Sequence, residues 1–156
     1  MLFRSVDPSV ALIVAAHNSL CTNHIYLAGD EEQRRKYIPK LATGEWIGCW
    51  SLTEPEAGSD AAGTRTTAVL KGGEWVLNGG KTFTTNAHYA DVCVAMAVTD
   101  RSASQHGISA FILEQGTSGF TVGKNSDPEQ TRRVKAWVYE VLRSGGSATA
   151  RTLRRS

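Results

Sequence analysis

Cysteine and histidine are the residues most often used for metal binding and redox chemistry, and in this chain they are few and scattered. Cys21, Cys49 and Cys93 are odd in number and far apart, without the pair spacing of a metal or redox motif. The four histidines are equally dispersed. The sequence therefore predicts reduced, mostly buried thiols and no zinc or iron site.

Glycine, serine and threonine are instead concentrated in two other stretches. Residues 54–63 are rich in proline, glycine and serine, which predicts an irregular loop. Residues 78–80 read Asn-Gly-Gly and predict a tight turn, because both residue types tolerate the positive φ that such turns need. Glycine permits close approach of a backbone to a ligand, and a hydroxyl supplies a hydrogen-bond donor without bulk.

The elements before these stretches read as helices. Asp7 and Pro8 suit the N-cap and first turn of a helix, and apolar residues at helical spacing follow as far as residue 21. Residues 30–41 predict a second helix with acidic residues near its positive end. Pro39 predicts a break or bend near the end of that helix.

From Trp46 onward the period of the pattern changes to two, as in strands. The sequence 71–73, Lys-Gly-Gly, marks a hairpin. The predicted strands span 46–52, 65–70, 74–77, 81–85, 92–98, 108–113 and 120–122. The fold class is therefore α+β: a short helical N-terminal part followed by an antiparallel, β-barrel-like domain.

The charge of the chain changes sign toward its end. Residues 1–120 hold 9 Lys/Arg and 12 Asp/Glu and sum to −3, whereas residues 121–156 hold 8 and 3 and sum to +5. Asp127 and Pro128 suit a helix start, and apolar spacing predicts a helix over 128–143. The basic stretch 147–156 is predicted to be disordered.

Three segments together resemble the acyl-CoA dehydrogenases. Residues 29–45 resemble that family's helix-and-turn signature, residues 51–60 (SLTEPEAGSD) its flavin-binding loop, and residues 78–86 (NGGKTFTTN) the hairpin and strand beside its isoalloxazine ring. The likeness covers residues 10–124. It implies a remnant of the N-terminal helical domain over 1–46, a middle FAD-binding β domain over 47–124, and a tail over 125–156 outside the family pattern.

The resemblance implies FAD-dependent α,β-dehydrogenation of an acyl-CoA thioester, with an electron-transfer flavoprotein as electron acceptor and a homo-oligomeric assembly. In that family a glutamate of the C-terminal bundle removes the α proton. We expect that glutamate to lie outside this chain, so no catalytic residue is assigned and the isolated chain is expected to be inactive. A truncated or frame-shifted reading of a longer gene would explain the tail, with a genuine short paralogue as the rival explanation.

The resemblance also assigns roles to residues of the flavin loop. Thr53 and the backbone of Leu52 would hydrogen-bond the flavin pyrimidine edge, where donors stabilise the negative charge that builds on reduction. Gly58 and Ser59 would lie at the cofactor pyrophosphate and the CoA arm, so Ser59 is also the substrate-binding candidate. Trp50 would pack near the ring or the acyl chain. For each residue there is a purely structural alternative: Thr53 only caps the loop, Gly58 and Ser59 only form a tight turn, and Trp50 is a core residue. Asp60 is interpreted as a turn or cap residue.

The second stretch would contact the flavin ring itself. Phe83 stands where many relatives carry tryptophan against one ring face, and Thr85 would hydrogen-bond near N5. Alternation would put Phe83 and Thr85 on one strand face, with Thr84 in the same cofactor-binding stretch but facing away. Lys81 is read as a solvated strand residue.

Other functions remain open from the sequence. An acyl-CoA oxidase or flavin monooxygenase relative shares the expected architecture, and a non-catalytic flavin- or CoA-binding module is the alternative from another class. The basic tail lacks the interleaved aromatics of nucleic-acid binding. The apolar run 10–16 is too short for a membrane span, and the chain start is not typical of a signal peptide. We expect a cytoplasmic location, or the mitochondrial matrix in a eukaryote.

Overall fold

The computed structural model describes residues 7–123, 134–138 and 141–142. Its helical part comprises α1 (Pro8–Ala15), a π-helical turn (Ala16–Thr22), α2 (Asn23–Ala28) and α3 (Glu31–Thr43). The N-cap predicted for α1 is confirmed, since the Asp7 carboxylate accepts a hydrogen bond of 2.8 Å from the Ser9 N–H. No described helix is both long and apolar enough to cross a bilayer.

Helix α3 is defined by local capping at both ends. The Asp30 carboxylate accepts from the Gln33 N–H at 2.9 Å, and the Asp30 N–H donates to Gln33 Oε1 at 3.1 Å. Gly44 ends the helix in the left-handed region with φ of 74°. The helix runs through Pro39 to Thr43, so the predicted break at Pro39 is wrong. The missing N–H of Pro39 removes one backbone hydrogen bond, and the helix continues for one more turn beyond it.

His17, in the π-helical turn, joins that turn to helix α3 and to strand β1. Its Nδ1 accepts from the Gly48 N–H at 2.9 Å, and its Nε2 lies 3.0 Å from the Leu41 carbonyl oxygen. Because Nδ1 must accept, the proton of the neutral ring belongs on Nε2, which donates to Leu41. The Thr22 hydroxyl donates to the His17 carbonyl at 2.8 Å within the same turn. This histidine therefore has a structural role.

The described strands form one mixed sheet. Its strands are β1 (Gly48–Ser51), β2 (Thr67–Lys71), β3 (Glu74–Gly79), β4 (Val92–Val98), β5 (Ile108–Glu114), β6 (Val134–Val138) and β7 (Val141–Leu142). They lie in the order β6-β3-β2-β4-β5-β7, and β1 pairs with β4. The α+β class is confirmed, and Gly72 and Gly73, with φ of 60° and 87°, close the predicted β2–β3 hairpin.

The antiparallel description of the sheet is only partly correct. Strands β1 and β2 both run parallel to β4, whereas the other pairs are antiparallel. A parallel pair requires a long return connection, and residues 52–91 supply one between β1 and β4. The sequence pattern identifies strands but not their direction.

Four predicted elements differ in the structure. Asn78 and Gly79 are the last residues of strand β3, so the tight turn predicted for 78–80 is wrong. Residues 81–85 are not a strand, because Phe83 and Asn86 have φ of 55° and 72°, outside the extended region. Residues 120–122 are also irregular. Within the helix predicted for 128–143, residues 134–138 and 141–142 are strands that pair with β3 and β5.

The helix prediction is therefore wrong at residues 134–138 and 141–142. Apolar spacing in a short valine-rich stretch fits either period, and the open edges of β3 and β5 favour pairing. The rest of 128–143, and the stretch 147–156 predicted to be disordered, lie outside the described residues.

The core lies on both faces of β4, the central strand. One cluster includes Cys49, Cys93 and Phe111, and the other contains Cys21 and Tyr37 beneath the helices. The prediction that the cysteines are buried is confirmed for all three. Burial raises the pKa of the Cys21 thiol to about 12, which keeps it protonated and unreactive at neutral pH.

Gly48 is the tightest point between the helices and β1, which gives a stability prediction. A Cβ there would lie 2.6 Å from Cys21 Sγ and 3.3 Å from Leu41 Cδ2. We expect Gly48→Ala to lower the free energy of unfolding by about 1–3 kcal/mol, measured by urea denaturation, because the packed core must shift. Gly58→Ala is the matched control, since a Cβ there meets nothing within 4 Å. Equal denaturation midpoints for the two variants would contradict this packing argument.

Candidate functional site

The two stretches singled out in the sequence lie side by side. We call residues 48–54 and 81–86 the paired segments. Within the described residues five hydrogen bonds join them: Asn86 Nδ2 to the Gly48 carbonyl at 3.2 Å, Thr84 Oγ1 with Ser51 Oγ at 2.6 Å, the Thr82 N–H to the Thr53 carbonyl at 2.8 Å, and Lys81 Nζ to the Leu52 carbonyl at 2.9 Å and to Glu54 Oε1 at 2.7 Å. The order is antiparallel, although residues 81–86 are not a strand. Side chains supply most of the contacts that a β-ladder would otherwise supply.

The deepest of these contacts is an ion pair. The side chains of Glu54 and Lys81 are 3% and 10% exposed. Glu54 Oε2 accepts from the Arg65 N–H at 2.6 Å and Oε1 from the Thr66 N–H at 3.0 Å. Lys81 also donates to the Leu52 carbonyl at 2.9 Å. A buried pair is tolerated only when its remaining hydrogen-bonding capacity is used in this way.

The charge state of Glu54 follows from this environment. Burial opposes its ionisation, but hydrogen bonds from Lys81, Thr66 and Arg65 outweigh burial and hold the pKa of Glu54 below its ordinary value. Burial lowers the pKa of Lys81, while Glu54 acts to raise it. We conclude that the pair is ionised at neutral pH, because Glu54 is surrounded by donors alone.

The loop after Glu54 turns back to it and then opens to solvent. The Glu54 N–H donates to the Ala57 carbonyl at 2.9 Å. Gly58 and Ser59 are exposed, and a Cβ built on Gly58 meets nothing within 4 Å. The Asp60 carboxylate accepts from the Ala62 N–H at 3.2 Å, so its assignment as a turn residue is confirmed. Gly58 and Ser59 therefore border open space.

Trp50 lies on the other face of β1 from Ser51. Its ring centroid is 6.2 Å from that of His24 on α2, and its buried Nε1 has no hydrogen-bond partner among the described residues. It lines a cavity of about 170 Å³ whose other walls are Ser19, Leu20, Asn23, His24, Leu27 and Ala28. Burial lowers the pKa of His24. Trp50 thus does not join the predicted loop residues at the edge formed by the paired segments.

The side chains of residues 83–85 are not arranged as a strand would arrange them. The side chain of Thr84, predicted to face away, contacts Ser51, because the positive φ of Phe83 redirects the backbone. Phe83 is 92% exposed, whereas Thr85 is half-buried. The prediction that Phe83 and Thr85 share one strand face is therefore wrong.

Sequence reasoning missed the residues that hold the paired segments together. The sequence pattern indicates a solvated Lys81 and assigns no individual role to Glu54, Ser51 or Asn86. A lysine between a glycine turn and three threonines gives no local sign of burial. The available signal for a role of Lys81 and Asn86 is that the whole segment 78–86 resembles the family's hairpin and the strand beside its isoalloxazine ring.

Comparison with known proteins gives consistent matches over nearly the whole chain. The family model described as "Acyl-CoA dehydrogenase, N-terminal domain" matches residues 2–45, and that described as "Acyl-CoA dehydrogenase, middle domain" matches residues 49–139. The second match continues past residue 124, where the sequence predicts the family-like part to end.

Individual relatives agree with the family models. An acyl-CoA dehydrogenase of Bacillus subtilis (strain 168) is 50% identical over 119 residues, which are 76% of this chain and 31% of that protein. The structure of butyryl-CoA dehydrogenase from Megasphaera elsdenii is similar with a TM-score of 0.74 and 42% identity, covering 87% of this chain and 36% of that one. A glutaryl-CoA dehydrogenase from Mycobacterium smegmatis in complex with FADH2 has a TM-score of 0.73 and 37% identity, covering 90% and 36%. The chain spans about a third of the length of the relatives it matches.

The lowered pKa of Glu54 predicts a specific pH dependence. A depressed carboxyl pKa contributes stability that is complete above the unfolded-state pKa, near 4.5, and is lost as pH falls through the folded-state pKa. Lys81 stays protonated throughout this acidic range. We expect Glu54→Gln to lower the free energy of unfolding by about 3 kcal/mol at pH 7, and the difference from wild type to shrink below pH 4.5.

Urea denaturation at a series of pH values measures that difference. Other carboxyl groups with lowered pKa, such as Glu114, are present in both proteins and cancel. A difference that stays constant from pH 7 down to the acid limit would show that Glu54 is not ionised in the folded protein.

Proposed function

The chain belongs to the acyl-CoA dehydrogenase family, and from that premise we propose that its paired segments and the loop through Ser59 bind FAD. One observation supports the proposal above the others: two stretches that lie about thirty residues apart in sequence are hydrogen-bonded along one edge. A ring-binding site needs both stretches at one place. The domain division proposed is a helical part over 1–46 and a middle β domain from 47.

The residues present suit this cofactor. A flavin joins a planar ring with a polar edge to a pyrophosphate. Phe83 offers an exposed aromatic surface, and the hydroxyl of Thr82 is buried without a partner among the described residues. The open space at Gly58 would admit a pyrophosphate close to the backbone.

The contacts that we propose follow from the family resemblance. Leu52 and Thr53 would bind the pyrimidine edge, and Phe83, Thr84 and Thr85 the ring. Gly58 and Ser59 would bind the phosphates and the CoA arm. Trp50 would contact the ring or the acyl chain from the other face of β1.

The reaction proposed for the protein is α,β-dehydrogenation of an acyl-CoA thioester. FAD, when bound, supplies a hydride acceptor, and the task of this chain's residues is to bind and orient it. Donors at Thr53 would stabilise negative charge at the pyrimidine edge. Glu54, the glutamate of the paired segments, does not suit a base, because it is committed to Lys81.

The family also suggests partners and location. We propose an acyl-CoA as substrate, an electron-transfer flavoprotein as acceptor and a homo-oligomer as the assembly. The proposed site of action is the bacterial cytoplasm or the mitochondrial matrix.

Titration of the purified chain with FAD tests the binding proposal. We expect saturable binding, seen as quenching of flavin fluorescence. Gly58→Val should weaken binding about 10-fold or more, since a side chain would fill the space proposed for the pyrophosphate, a loss of about 1.4 kcal/mol. Its melting temperature should match that of wild type because a Cβ meets no protein atom there.

Ala42→Val is a suitable control, because Ala42 is exposed on α3, away from the loop. It should bind FAD as wild type does. Absence of FAD binding by the wild-type chain would refute the proposal, and unchanged binding by Gly58→Val would remove the loop from the site.

A further inference from the structure

We propose that the Glu54–Lys81 ion pair is a positioning device that aims the Thr53 N–H at the bound cofactor. The inference rests on the proposed function, namely that the paired segments bind FAD. It adds a role for two residues that touch neither the ring nor the substrate. Lys81 acts through the Leu52 carbonyl, and Glu54 acts by keeping Lys81 in place.

The orientation of the Thr53 N–H follows from peptide geometry. The Leu52 carbonyl accepts from Lys81 Nζ at 2.9 Å, and the described residues contain no cis peptide bonds. A planar trans peptide directs its C=O and its N–H to opposite sides. The Thr53 N–H, which shares a peptide with the Leu52 carbonyl, therefore points away from Lys81.

The next peptide is fixed in the same manner. The Thr53 carbonyl accepts from the Thr82 N–H at 2.8 Å, and the Glu54 N–H on its opposite side donates to the Ala57 carbonyl at 2.9 Å. Both peptides that flank Thr53 are thus held by protein groups. The Thr53 N–H is the donor that this arrangement directs away from Lys81.

The ion pair is needed because an ammonium in this position would otherwise be buried alone. Glu54 neutralises it at 2.7 Å and is itself anchored by the Arg65 and Thr66 N–H groups at the approach to β2. The sheet therefore fixes Glu54, Glu54 fixes Lys81, and Lys81 fixes the Leu52 carbonyl. Because the charges of Glu54 and Lys81 cancel, the ion pair adds little net electric field at the proposed cofactor site.

The Thr53 N–H suits a ligand that presents a hydrogen-bond acceptor atom on a planar ring. A flavin pyrimidine edge presents such atoms, and they become more negative on reduction. A pre-oriented N–H stabilises the reduced form more than the oxidised form. Loss of the orientation should therefore weaken FAD binding and make the potential of the bound flavin more negative.

Three variants of the full chain separate positioning from stability. Lys81→Met removes the donor to the Leu52 carbonyl and leaves Glu54 buried without its counter-ion. The double variant Glu54→Gln/Lys81→Met removes the stranded charge but does not restore the donor. Lys36→Met is the control, because Lys36 forms an ion pair of similar length, 2.9 Å to Glu114, on half-exposed side chains away from the paired segments.

The melting temperature, the FAD dissociation constant and the midpoint potential of bound FAD are measured for each. Lys81→Met should melt lower and bind FAD about 10-fold more weakly, the effect expected for loss of one oriented hydrogen bond. The double variant should recover much of the melting temperature but neither the affinity nor the potential. Lys36→Met should bind FAD as wild type does.

Recovery of affinity together with melting temperature in the double variant would overturn the inference, since the pair would then act through stability alone. Unchanged FAD affinity in Lys81→Met would also overturn it. Lys81→Arg covers the case in which Lys81→Met does not fold: it keeps a donor and the charge and should bind FAD within a few-fold of wild type. A folded Lys81→Arg variant without affinity would contradict the inference. Absence of FAD binding by wild type and Lys36→Met alike would instead refute the proposed function itself.

Discussion

Residues 81–86 have no β-ladder of their own, so their position against residues 48–54 depends on a small set of hydrogen bonds between the two segments. The ion pair of Glu54 and Lys81 is the most buried of these contacts and carries two full charges. Burying charges is costly unless they are paired and fully hydrogen-bonded, which fixes both side chains in one geometry. The arrangement of the proposed flavin edge therefore depends on a polar contact and not on apolar packing.

The sequence predicts best those features that are determined locally. The N-cap of α1 and the Gly72–Gly73 hairpin are set by residues within a few positions of each other, and both are found as predicted. The contact of Lys81 with Glu54 joins residues 27 apart, and nothing in the local pattern around Lys81 indicates its burial. The faces predicted for residues 83–85 are also wrong, because side chains alternate only along extended backbone and Phe83 has a positive φ.

Strand β1 places Ser51 and Trp50 on opposite faces, whereas the family resemblance assigns Trp50 and the flavin loop to one binding site. Ser51 faces the second paired segment, while Trp50 faces α2 and a cavity lined by residues of the π-helical turn and α2. His17 accepts from the Gly48 N–H, and Asn86 donates to the carbonyl of the same residue. With both backbone groups of Gly48 bonded in this way, the short strand would keep the proposed cofactor edge and the cavity beside Trp50 in a constant relation.

Backbone amide NMR during an FAD titration shows whether the paired segments together form one edge that binds FAD. The amide signals of Leu52, Thr53, Thr84 and Thr85 should shift together and saturate at the same FAD concentration, while those of the distant Lys71–Glu74 turn stay in place. Shifts confined to one segment, or centred on surfaces outside both, would contradict binding at one shared edge.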